Sequence, residues 1–90
     1  MAKISCTSSL KRFFPSLEKE DIQADTLLES IDRMNQLYPG FKAYVLDEHE
    51  NLREFLHIYV NDELLKERKN LAVKLNAETT IYIAQAISGG

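Results

Sequence analysis

A single cysteine, two prolines, three glycines and no tryptophan in ninety residues exclude several classes of protein at the outset. Cys6 has no second thiol to pair with, so an internal disulfide framework is impossible and a reducing compartment is expected. His49 and His57 have no cysteine, histidine or carboxylate at zinc-binding spacing, which removes a metal site from the expectations. No apolar run approaches the roughly 20 residues needed to cross a bilayer, and Met1-Ala2-Lys3-Ile4 lacks a signal-peptide hydrophobic region, so the expectation is a cytoplasmic protein without a membrane partner. A basic excess is missing too. Eleven Lys and Arg against 14 Asp and Glu give a formal charge of −3, the wrong sign for phosphate contacts, and nucleic acid is not an expected partner. Ninety residues make one small domain, with room for a core but not for a deep pocket holding its own cofactor.

The residues that are present alternate at both ends of the chain. Ile4 and Cys6 interleave with Lys3, Ser5 and Thr7 as a strand with one buried face. After a turn at Phe13-Phe14-Pro15-Ser16, the segment Asp21-Ile22-Gln23-Ala24 can return as a short partner, forming an N-terminal hairpin. Thr26-Leu27-Leu28-Glu29 matches a capping box, in which the Thr hydroxyl and the Glu carboxylate each take a free backbone N–H. Leu27, Leu28, Ile31, Met34, Leu37 and Tyr38 then recur at helical spacing as a core stripe, with Glu29 and Arg33 paired outward, until Pro39-Gly40 ends the helix. Residues 41–46 fit either a short turn of helix or a crossing extended stretch. Leu56, Ile58 and Val60 alternate with Phe55, His57 and Tyr59 up to a turn at Asn61-Asp62. Leu71 to Leu75 reads as a short edge segment, and Asn76-Ala77-Glu78 turns into a last strand ending near Ile87. The order predicts an α+β fold, one mixed sheet of four to five strands packed on one main helix.

Two of the three glycines are the final two residues, Gly89 and Gly90. At an average usage of about 7% such a pair arises by chance in roughly one chain in 200, so alone it also fits a frayed terminus. Following a strand, it reads as a bare tip: glycine has no Cβ to block a nucleotide or sulfur donor, and its backbone threads a narrow channel. Residues 1–87 are therefore expected to form the domain and 88–90 a flexible tail. If Leu56, Ile58, Val60, Ile81 and Ile83 face the helix, then Phe55, His57, Tyr59, Tyr82 and Ala84 share the other face, unless residues 41–53 cover it. With Ile87 as the anchor nearest the tail, this face is the expected partner surface. No arrangement of side chains points to catalysis by the chain itself. Cys6 reads as a small core residue, Asp47, Glu48 and Glu50 as a solvated loop, and Lys66-Glu67-Arg68-Lys69 as a solvated turn.

Tyr38-Pro39-Gly40-Phe41, Val45-Leu46-Asp47-Glu48, the strand Phe55 to Glu63 and the tail Ala86-Ile87-Ser88-Gly89-Gly90 occur in the order seen in the ubiquitin-like β-grasp sulfur carriers of the MoaD/ThiS family. The chain resembles most the CysO-type carrier of cysteine biosynthesis. It departs at Asn76-Ala77-Glu78, where many relatives have Asp-Gly-Asp, and at Gln85, where they have proline. The second change implies an extra N–H and a looser approach to the tail. By resemblance the fold is a ubiquitin-like β-grasp, and the chain is a carrier acted on by enzymes, itself binding no cofactor. An adenylating enzyme of the MoeB/ThiF kind would consume ATP to join AMP to the Gly90 carboxylate. Sulfide or a persulfide would then replace AMP and leave a thiocarboxylate, with Ser88 and Gly89 threading the partner's channel. The acceptor enzyme would be a cysteine synthase holding a PLP-bound aminoacrylate, or a molybdopterin synthase large subunit, or a thiamin-type enzyme. The alternatives are a ubiquitin-like modifier conjugated to lysines through Gly90, the small subunit of molybdopterin synthase, and a structural adaptor.

Overall fold

The computed structural model describes residues 2–69 and 71–85. The five strands are β1 (Ala2–Cys6), β2 (Glu20–Ile22), β3 (Leu56–Val60), β4 (Glu63–Leu64) and β5 (Thr80–Gln85), and the helices are α1 (Leu27–Leu37) and α2 (Phe41–Val45). The strands form one mixed sheet in the order β2-β1-β5-β3-β4, with β1 parallel to β5 and the other pairs antiparallel. This is the expected α+β architecture with one main helix. β5 lies at the centre, with Ile81 opposite Val60 and Ile83 opposite Ile58. Alternation fixes the faces: Leu56, Ile58, Ile81 and Ile83 are buried in the cluster that holds Leu27, Ile31 and Met34 of α1, and Val60 packs on its margin. Among the described residues no helix is long and apolar enough to cross a membrane.

α1 begins where the capping box places it. Thr26 Oγ1 accepts from the Glu29 N–H at 3.2 Å, and the Glu29 carboxylate accepts in return from the Asp25 N–H at 3.2 Å. Glu29 is thereby committed to the cap rather than to Arg33. Leu37 departs from the core stripe and stands 54% exposed. It is the last residue of α1 and lies about 80° from Leu27 at 100° per residue, off the Leu27-Ile31-Met34 line. After Gly40, whose φ of 95° makes the turn, residues 41–45 form α2 and bury Phe41 and Val45. Lys42 bridges α2 to Asp32 of α1 and to Glu50, at 2.8 Å each.

The expected N-terminal pair forms, β1 antiparallel to a short β2 at Glu20–Ile22, with a 3-10 turn, Ser8–Arg12, and the buried Leu10 and Leu17 in the connection between them. Two expectations are corrected. Residues 71–75 are not an edge strand. Their carbonyls accept the first free N–H groups of α1, Leu27 to Val73 at 2.9 Å and Leu28 to Leu71 at 3.0 Å, and Leu75 N–H donates to Asp25 at 2.9 Å. A helix N-terminus exposes donors that no helical carbonyl can take, and this segment supplies acceptors. Arg68 is not merely solvated. It is half-buried, and its guanidinium donates to the carbonyls of Leu56, at 2.8 Å, and Arg53 at the start of β3.

Candidate functional site

The central strand β5 is described as far as Gln85, five residues before Gly90. At about 3.3–3.6 Å per extended residue, those five residues carry the terminal carboxylate at most about 18 Å from Gln85. Ile87, Ser88, Gly89 and Gly90, expected to form the anchor, the threading segment and the reactive end, lie outside the described residues.

The root of this segment is held from three sides. Gln85 pairs with Leu56 across β3. Its N–H donates to Thr7 Oγ1 at 3.2 Å, one step beyond the point where the β1 ladder closes with Thr7 N–H to the Ile83 carbonyl at 3.0 Å. Its side-chain carbonyl oxygen accepts from Tyr44 Oη at 2.8 Å. The Tyr44 ring is in turn enclosed by Phe13, Phe55 and Phe14 at centroid distances of 4.9, 5.6 and 6.0 Å. The looser approach expected from glutamine in place of proline is thus corrected: the extra N–H has a partner, and the side chain adds a second bond.

On the sheet face away from the core, His57 stands opposite Ala84 and Tyr59 opposite Tyr82. The two tyrosine rings lie 6.4 Å apart, and Tyr82 is 40% exposed. Thr7, Tyr59, Asp62, Tyr82 and Ala84 line an open depression there. Residues 41–53 do not cover this face. Phe41, Val45, Leu46 and Leu52 are buried in the core on the helix side. Phe55 is the one described member of the expected set that parts from the rest. It precedes β3, and its ring packs edge-on against Tyr44 at the end of the sheet where Leu56 pairs with Gln85. There it joins Phe13, 56% exposed, which sequence reasoning did not select. Tyr44 was missed for the same reason, since its role depends on α2, whose conformation the local pattern left open.

Nucleophilic chemistry finds little support elsewhere in the described structure. Burial pushes the Cys6 thiol from its ordinary 9.0 up to about 12, so it stays protonated and unreactive. Backbone N–H groups of Asn51 and His49 hold the Asp47 carboxylate below its usual range, the signature of a turn-forming residue. His49 Nε2 lies 3.7 Å from Glu48, both fully at the surface. No group of three or more metal-ligating side chains converges among the described residues.

No family model and no curated protein sequence matches the chain. Among solved structures, it is similar to a chain of the Amycolatopsis orientalis BexX/CysO complex, with TM-score 0.85 and 28% identity over 100% of both chains. Mycobacterium tuberculosis CysO follows at TM-score 0.82 and 24% identity, covering 97% of this chain and 100% of that one. SAMP1 from Haloferax volcanii gives TM-score 0.75 and 18% identity, over 99% and 98%. The chain has a ubiquitin-like β-grasp fold, and its similarity to CysO extends over the whole length of the chain.

Proposed function

We propose that this protein is a sulfur carrier whose Gly90 is loaded by an ATP-dependent adenylating enzyme and unloaded by a biosynthetic acceptor enzyme. The observation that carries the reading is the junction of two features: a fold similar to CysO over the full length of both chains, and a Gly-Gly end five residues after Gln85 of the central strand. A carboxylate is a poor acyl donor because resonance and charge repel nucleophiles. Attack of the Gly90 carboxylate on the α-phosphate of ATP would form an acyl-adenylate and release pyrophosphate; sulfide would then displace AMP and leave the thiocarboxylate. The chain contributes position and specificity, and its partners contribute catalysis. The face around His57, Tyr59, Tyr82 and Ala84 suits the docking of such partners. The matched Amycolatopsis orientalis chain is part of a BexX/CysO complex, and a carrier that assembles with a protein partner supports the same reading here.

Intact mass measured after incubation with ATP, sulfide and an adenylating enzyme of the MoeB/ThiF kind tests this. Oxygen-to-sulfur exchange adds about 16 Da, the same as oxidation of a methionine, so the gain must map to the C-terminal peptide. Deletion of Gly90 is expected to abolish the gain while leaving thermal stability unchanged, because a free terminus makes few contacts. Wild-type protein that remains unloaded, while the Gly90 deletion still supports the pathway in cells, overturns the carrier reading. The similarity to SAMP1, a small archaeal modifier protein by name, favours one second reading, a modifier joined through Gly90 to lysines. Isopeptide-linked conjugates in place of the thiocarboxylate would select it.

A further inference from the structure

We infer that Gln85 is a positioning residue for loading: gripped by Tyr44 on one side and Thr7 on the other, it fixes the point and direction from which residues 86–90 enter the activating enzyme. The inference rests on the carrier reading and adds to it a residue that the CysO-like motifs do not assign. Gln85 lies five residues before Gly90, so whatever holds it limits the reach of the terminal carboxylate to about 18 Å from a fixed point. β1 ends at Cys6, and as the chain turns into the Ser8–Arg12 3-10 turn the Thr7 carbonyl accepts the Leu10 N–H at 3.1 Å. The Thr7 hydroxyl accepts the Gln85 N–H. On the core side, Tyr44 could swing away from Gln85 only by leaving three aromatic neighbours, so its hydroxyl is held in place to donate.

The consequence concerns the reach of the tail. With Gln85 fixed, five residues must place one carboxylate in line with a nucleotide phosphate. With Gln85 frayed, seven or more residues would have to be ordered, and the productive geometry would be reached less often at equal partner affinity. Tyr44 and Gln85 therefore act on the rate of the bound carrier rather than on its docking, which belongs to the open sheet face.

Steady-state pyrophosphate release by the adenylating enzyme, with this protein as the varied substrate, separates the possibilities. Tyr44→Phe keeps the ring packing and removes only the donor, and Gln85→Leu removes the acceptor at similar size. Each is expected to lower kcat about three- to tenfold, the range set by losing one hydrogen bond, with KM changed less than about twofold. Gln85→Glu retains an acceptor for Tyr44 and is expected to restore the wild-type rate. Thermal melts of each variant verify folding. Unchanged kcat in both Tyr44→Phe and Gln85→Leu overturns the role of Gln85 and leaves the carrier reading intact. A change confined to KM makes the two residues docking contacts and also overturns it. Absence of any pyrophosphate release with wild-type protein overturns the carrier reading, and this inference with it.

Discussion

Ile58 illustrates how much one side chain carries in a domain of this size. It is fully buried on β3, opposite Ile83, in the cluster shared with α1. Ile58→Ala is expected to destabilise by about 2–5 kcal/mol, from lost transfer energy plus a cavity the neighbours fill only in part, and urea denaturation measures it. Cys6 gives a prediction in pH. Its folded value of about 12 lies above the ordinary 9.0, so the folded state keeps the proton that the unfolded state releases. The contribution is fully present below pH 9 and is lost as pH rises towards 12. From pH 7 to 10, wild type should lose on the order of 1 kcal/mol more than Cys6→Ala, read from urea midpoints at the two pH values. Both residues were legible in the sequence as core positions, because alternation along a strand is a property of nearest neighbours.

The α1 N-terminus shows two origins of a single boundary. Thr26 and Glu29 form a reciprocal cap that any reader of the sequence finds, since the groups involved lie within four residues of one another. Thr26→Ala is expected to cost about 1 kcal/mol in chemical denaturation. The carbonyls of Leu71 and Val73, which accept the next two N–H groups, come from over forty residues away and carried no local signal. Alternating Leu71, Val73 and Leu75 looks like a strand because burial on one side imposes the same period whether the partner is a sheet or a helix end. The β3-β4 turn has its own strain. Asn61 and Asp62 both adopt positive φ, 51° and 69°, the geometry in which a glycine at the second position is preferred. Asp62→Gly relieves a left-handed penalty of about 1–2 kcal/mol against an entropic cost of about 0.5–1. A net gain near 0.5 kcal/mol is expected, visible as a higher denaturation midpoint.

Across the whole molecule, the sheet divides labour between its two faces. One face builds the core with α1 and α2, and the other presents Tyr59, Tyr82, His57 and Ala84 without cover from residues 41–53. Tyr82→Glu is expected to leave the thermal transition unchanged and to weaken binding of the adenylating enzyme at least about tenfold by calorimetric titration. Unaltered affinity would remove this face from the docking surface. The −3 charge of the chain is consistent with a protein partner whose contact surface is neutral or basic.

The amino-acid sequence by itself determined the helix α1 with its cap and stop, the alternating strands and their buried faces, the turns at Asn61-Asp62 and Asn76-Ala77-Glu78, and the Gly-Gly end. Each of these is set by interactions among residues a few positions apart, through periodicity, capping geometry or allowed backbone angles. Only the tertiary structure decided that Phe55 leaves the open face for Tyr44, that Arg68 ties down the start of β3, and that residues 71–75 serve a helix rather than a sheet. It also decided the grip on Gln85, whose partners stand 41 and 78 residues away in the chain. A hydrogen bond across such separations exists only once packing has brought the elements together, so no local pattern can announce it.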